Sequence, residues 1–241
     1  MNGSQPISAT PETWTALVIG NTHQHCGQFS ENDLQQVEHL PHQALIRPAG
    51  PLWLASVVPQ ATEHWQQQRE AGLDLKLLDL STVPLNNLYP SFGIDRALAL
   101  LGAGELLGWP VLVIDAGTAL TLTGANRERA LVGGAILPGL GLQLKSLQAH
   151  TAALPTVPLT ESLPSRWALD TPAAMQSGVI YTVLAGIRDF LDDWQRLFPE
   201  SQVVVTGGDG PLLAQHLGLR LDPDLVFWGI RAARRSVLAQ Q

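Results

Sequence analysis

The sequence predicts an α/β protein built from two related halves. Three observations carry that expectation. Strand-type and helix-type segments alternate along the chain, as layered α/β folds require. The apolar run Val111-Leu112-Val113-Ile114 leads into Asp115-Ala116-Gly117-Thr118-Ala119-Leu120-Thr121, a strand, a tight turn and a second strand. Upstream, Leu17-Val18-Ile19-Gly20-Asn21-Thr22 echoes it, the two glycines lying 97 residues apart. Such an echo suggests duplication, with a ligand held between the halves. The alternative is coincidence, since apolar runs ending in glycine are common.

The elements follow from local pattern. Thr15–Gly20 and His23–Phe29 read as strands, and Ser30 as the cap of a helix through Leu40. Leu52–Val58 is a strand, Pro59 to Ala71 a surface helix, and Leu75–Leu80 a short strand. Val83–Phe92 is rich in turn formers, and Ile94–Leu107 is an Ala/Leu helix stopped by Gly108. Val111–Gly117, Leu120–Gly124 and Ala130–Leu137 form a meander, then Gly139–Ala149 is helical and Thr151–Pro164 a loop. Thr171 as an N-cap hydroxyl and Pro172 in the first turn open a long helix, with Val179, Val183, Ile187, Phe190, Trp194 and Leu197 at helical spacing to Phe198. Gln202–Thr206 is a buried strand, and two short helices with a strand at Leu225–Trp228 close the chain. No linker divides the sequence. The expected organisation is a disordered lead-in over 1–14, an N-terminal lobe over 15–109 and a C-terminal lobe over 110–241.

Composition narrows the function. The net charge of −7, with no basic block, argues against nucleic acid or an anionic membrane as the main partner. No apolar run reaches the roughly 18–20 residues of a membrane span. Met1 to Glu12 lacks the basic-then-apolar pattern of a signal peptide. The single cysteine, Cys26, rules out an internal disulfide and fits a reducing cytoplasm. It reads as a small buried residue rather than a nucleophile. His23 and His25 alternate along a strand, but no third ligand nearby completes a metal site.

Four motifs can carry chemistry. In Asp115-Ala116-Gly117-Thr118 the turn's N–H groups can cradle phosphate oxygens while the carboxylate holds a cation. In Gly93-Ile94-Asp95-Arg96 an acid sits at a helix start. Asp95 is either a cap favoured by the helix dipole or a general base, with Arg96 as an anion clamp. Val205-Thr206-Gly207-Gly208 ends a strand at a helix start, where glycines can pack on an adenine or ribose. Gly133-Gly134-Ala135-Ile136-Leu137-Pro138-Gly139 suggests backbone close to a ligand or a tight corner.

The order of these motifs, followed by Thr171 and closed by Asp224-Leu225-Val226-Phe227-Trp228-Gly229-Ile230, resembles that of type III pantothenate kinases from about Thr15 onward. The resemblance implies the duplicated ribonuclease-H-like fold of the actin, sugar-kinase and acetate-kinase superfamily. It implies transfer of the γ-phosphoryl of ATP to pantothenate, the first step of coenzyme A synthesis. It also implies Mg²⁺, activation by K⁺ or NH₄⁺, a cytoplasmic location and a homodimer. Asp95 would be the base. Gly93, Ile94, Asp95 and Arg96 would line the pantothenate site with Thr171, the latter from the other subunit, and with Tyr89. Ile19, Gly20, Asn21, Thr22, Thr118, Gly207 and Gly208 would bind ATP, and Asp115 the metal.

One position departs from the family pattern. Val18 stands where the family has an aspartate beside the first phosphate turn. The departure keeps an alternative open: a non-catalytic regulatory member that binds nucleotide or pantothenate. A different phosphotransferase or phosphohydrolase of the superfamily is the third reading.

Overall fold

The computed structural model describes residues 12–240. It contains two five-stranded sheets of the same internal plan. The first comprises β1 (Thr13–Ile19), β2 (Gln24–Ser30), β3 (Asp33–Leu40), β4 (Leu52–Ser56) and β5 (Leu75–Leu77), with helix α1 (Pro59–Glu70) between the last two. The second comprises β6 (Val111–Ala116), β7 (Ala119–Ala125), β8 (Leu131–Pro138), β9 (Gln202–Thr206) and β10 (Arg220–Leu221). Helix α2 (Ile94–Leu107) precedes β6; α3 (Leu140–Ala149) and α4 (Thr171–Leu197) lie between β8 and β9; α5 (Gly210–Leu217) and α6 (Leu225–Leu238) follow.

The first sheet has the order β3-β2-β1-β4-β5. Read in the matching direction, the second is β8-β7-β6-β9-β10. In each, the first strand pairs antiparallel with the second and parallel with the fourth. This is the duplicated ribonuclease-H-like arrangement. Compact packing divides the chain after Asp79, and the second unit begins at Leu80. Of the lead-in expected over 1–14, residues 1–11 lie outside the described residues, and β1 begins at Thr13.

In the first unit, Leu17, Ile19, Cys26, Leu52, Leu54 and Leu75 form the core, with Ala61 and Trp65 of α1 packed against it. Cys26 is a buried packing residue whose thiol is pushed up to about 11 by burial and the nearby Glu38 carboxylate. In the second unit, β6 and β7 bury one face under α3, α4 and α5. The other face packs on Leu100, Ala103 and Leu225 of α2 and α6. These two helices cross closely: a Cβ on Gly102 would strike the Leu225 carbonyl, and one on Gly229 the Leu98 carbonyl.

Three local expectations are corrected. The helix expected from Ser30 to Leu40 is strand β3. A bulge between Gln28 and Phe29 of β2 pairs these residues with Gln36 and Leu34, leaving Gln35 as the extra residue. Leu34 and Val37 therefore share a face at a spacing of three, which imitates a helix. The strand expected at Leu225–Trp228 is the first turn of α6, whose Leu225 and Phe227 are buried. The cap of α4 is Asp170, whose carboxylate accepts the Ala173 N–H at 2.8 Å; Thr171 is the first helical residue.

Candidate active site

In the second unit, the residues singled out from sequence converge on the ends of β6 and β9 and the start of α2. Asp115 is the penultimate residue of β6, paired with Thr121 on β7 and with Thr206 on β9. The turn after it closes with a bond from the Gly117 N–H to the Ala119 carbonyl at 3.0 Å. Thr118 is exposed at the tip, and its carbonyl accepts the Gly139 N–H at 2.9 Å. Beside it, β9 ends in Thr206, and Gly207 turns the chain into α5 with a φ of +89°. A Cβ on Gly207 would lie 2.5 Å from the Asp115 carboxylate and 2.6 Å from the Ala116 carbonyl, so only glycine fits there. Gly208 faces open space.

Burial pushes the Asp115 carboxyl from 3.8 up to about 6, and the charge of Asp95 adds to the shift. Two acids from α2 and β6 are thus near enough to repel. Such a pair favours a bound cation or a shared proton.

Asp95 is the second residue of α2, and its Oδ1 accepts the Arg96 backbone N–H at 2.8 Å. The capping position itself belongs to Gly93, and no side chain caps the helix. Ile94 is buried. Arg96 is buried as well, only 9% exposed. Its Nε and Nη2 both donate to Thr123 Oγ1 on β7 at 3.2 Å, and its Nη1 donates to Tyr89 Oη at 3.3 Å. The guanidinium lies 4.4 Å over the Phe92 ring, and Phe92 meets Tyr89 edge to face at 5.2 Å. Among the described residues no carboxylate forms a salt bridge with Arg96. A buried cation held by a hydroxyl, a phenol and an aromatic face is poised for an external anion.

Tyr89 thus joins the Arg96 group. Thr123 and Phe92 also belong to it, and neither stood out in the sequence. Only their spatial return to Arg96 reveals them. Thr171 is exposed at the start of α4. Just before it stand Trp167 and Leu169, 89% and 103% exposed.

The first unit carries the other turn. Gly20 N–H bonds to the His23 carbonyl at 3.0 Å, the counterpart of the Gly117 turn, and the Gly20 carbonyl meets His42 Nε2 at 2.8 Å. Ile19 ends β1 and is buried, whereas Asn21 and Thr22 are exposed. Val18 occupies the β1 place that Asp115 occupies on β6, two residues before the glycine. It is 5% exposed and stands in one row with His25, His39 and Ala55. His25 Nδ1 lies 2.6 Å from His39 Nδ1. Burial, then the charges of His39 and His23, pull the His25 imidazole down to about 4. The histidine pair went unseen in sequence because β3 imitates a helix.

Comparison with known proteins agrees with this arrangement. A solved structure from Campylobacter jejuni, described as a Baf family transcriptional activator, superposes with a TM-score of 0.68 at 21% identity. The match covers 93% of this chain and 99% of that one. A Sinorhizobium meliloti protein described as a 2-dehydro-3-deoxygalactonokinase gives 0.57 at 14% identity, over 93% and 96% of the two chains. A type III pantothenate kinase of Synechococcus sp. (strain JA-3-3Ab) is 51% identical over 95% of each chain. The family model for type III pantothenate kinase matches residues 16–193, spanning both turns, the α2 start and most of α4. With a duplicated fold, a carboxylate turn at β6 and an acid–arginine pair opening α2, the chain belongs to the type III pantothenate kinase family.

Proposed function

We propose that this protein transfers the γ-phosphoryl group of ATP to the primary hydroxyl of pantothenate, giving 4'-phosphopantothenate for coenzyme A synthesis. The observation that carries the reading is the buried Arg96 beside Asp95. Pantothenate offers a carboxylate for the first and a hydroxyl for the second. The Arg96 fork grips the carboxylate, with Tyr89, Gly93 and Ile94 lining the site. Asp95 accepts the hydroxyl proton as that oxygen bonds to the γ-phosphorus and the β–γ bridging bond breaks. ADP leaves with the bridging oxygen. In the second unit ATP rests on Thr118, Gly207 and Gly208, beside the Asp115 carboxylate.

Among the described residues no group of three or more His, Cys, Asp or Glu makes a protein-only metal site. Mg²⁺ does not require one, since one or two carboxylates plus substrate phosphates commonly hold it. Asp115 fits: it is an oxygen donor in a place where burial and Asp95 disfavour uncompensated negative charge. Bound there, Mg²⁺ supplies neutralisation of phosphate charge. K⁺ or NH₄⁺ activates the reaction, and the enzyme works in the cytoplasm.

The working form is a homodimer, with Thr171 reaching the partner subunit's pantothenate. Exposed Trp167 and Leu169 beside Thr171, and Phe190, 48% exposed on α4, support that contact. Of the α4 stripe, Val179, Val183, Ile187 and Trp194 pack in the chain's own core, so these exposed residues carry the case.

Asp95→Asn tests the chemistry. The variant is expected to stay folded and to phosphorylate pantothenate roughly 10²–10⁴-fold more slowly. A folded variant at the wild-type rate would leave Asp95 with its helix-start role alone.

A further inference from the structure

We infer that Thr123 is a positioning residue for substrate recognition: it orients the Arg96 guanidinium so that its end-on fork faces the substrate carboxylate. The inference rests on the pantothenate reading above and adds a residue to it. A guanidinium has five N–H donors. Thr123 Oγ1 accepts two of them, one from Nε and one from Nη2, and Tyr89 Oη accepts one from Nη1. One N–H then remains on each of Nη1 and Nη2. The end-on edge, one N–H each from Nη1 and Nη2, is the parallel pair that binds a carboxylate in bidentate fashion, and Thr123, on the Nε–Nη2 edge, leaves it free of its own contact.

The hydroxyl is well placed to fix this orientation. Thr123 is 2% exposed and lies on β7, flanked on both sides by β6 and β8. Opposite it on β8 stands Gly134. A Cβ on Gly134 would lie 2.9 Å from Arg96 Nη2 and would strike the Leu122 carbonyl. The glycine therefore leaves the slot that the guanidinium fills. Phe92 covers one face of the group at 4.4 Å. Ring, slot and hydroxyl together leave the cation one orientation. Of the three, only the hydroxyl determines which edge of the fork remains for the substrate.

The test is substitution of the hydroxyl at constant shape. Thr123→Val is expected to raise the KM for pantothenate about 10- to 100-fold, the range for a hydrogen bond to a charged group. The KM for ATP and kcat should change less than about threefold. Thr123→Ser, which keeps the oxygen, should return the pantothenate KM to within about threefold of wild type. In an Arg96→Met background, adding Thr123→Val should change pantothenate affinity, read by calorimetry, less than about twofold, because the cation it orients is gone. If Thr123→Val fails to fold, Thr123→Ala removes the same acceptor with less bulk.

The possible failures separate. Arg96→Met weakening pantothenate while Thr123→Val lowers only the melting temperature would overturn the positioning role and leave the Arg96 site intact. Neither variant weakening pantothenate, or no binding by wild type, would overturn the functional reading and this inference with it.

Discussion

Asp115 should cost the free protein stability, and replacing it by asparagine should return that stability. Its carboxyl is pushed from 3.8 to about 6, first by burial and then by the charge of Asp95. A shift of about 2 units corresponds to about 3 kcal/mol at most. The sign follows from linkage. Between about pH 4 and pH 6 the native state binds more protons than the unfolded chain, so stability falls as pH rises through that window. The cost is complete above about pH 6 and absent below about pH 4. Asp115→Asn removes the charge at nearly constant shape. At about 2–4 °C per kcal/mol for a chain of this size, the variant should melt up to roughly 6–12 °C higher at pH 8. The gap should close toward pH 4. Asp95→Asn, which removes the second cause, should recover a smaller part of the same difference. The assay is thermal denaturation of the nucleotide-free protein at pH 4 to 8, with and without Mg²⁺–ATP. The same Asp115→Asn variant should lose most of the stabilisation that Mg²⁺–ATP gives to wild type. An Asn variant that melts at or below wild type at pH 8 would refute the reasoning. Asp115 would then be paired in the native state rather than held at a cost for a ligand.

Three further outcomes are expected. Val18→Asp should lower the melting temperature, because Val18 is 5% exposed and a buried unpaired carboxylate costs several kcal/mol. The loss should be smaller at pH 5.5 than at pH 8, because burial favours the protonated form of the new carboxyl; equal losses would show that the carboxylate escapes burial. His25→Gln should reduce the acid sensitivity of wild type between about pH 6.5 and 4. There the lowered histidine makes the native state bind fewer protons than the unfolded chain, and stability falls with pH; an unchanged acid limb in urea titrations would count against it. Sedimentation at micromolar concentration should give a dimer, and Trp167→Ser with Leu169→Ser should weaken it; a monomeric wild type would remove any site completed across subunits.

The two turns were legible because each is a local event: an apolar strand must end, and glycine followed by threonine ends it. Helix α2 was legible to the residue at both ends, through an Ala/Leu-rich run and Gly108. The duplication became firm only with pairing, when Val18 and Asp115 took the same place in two sheets of one strand order. What failed was pattern that tertiary structure rewrites. The bulge at Gln35 gave β3 a helical spacing. The run Leu225-Val226-Phe227-Trp228 has strand chemistry, yet close packing on α2 keeps it helical. In the site, Asp95, Arg96 and Asp115 could be named from sequence because each sits in a short motif. Thr123 could not, since its role depends on an arginine 27 residues away that meets it only across packed elements.

The central claim is that a folded, buried Arg96–Asp95 site makes this protein a pantothenate kinase despite valine at position 18. The most direct measurement is product analysis by phosphorus NMR after incubation with ATP, Mg²⁺, K⁺ and pantothenate. The account predicts a phosphomonoester on the primary hydroxyl of pantothenate, in step with ADP, and neither product from Asp95→Asn at the same enzyme concentration and time. Folded wild-type protein that binds ATP yet forms no phosphopantothenate at millimolar substrates would contradict it.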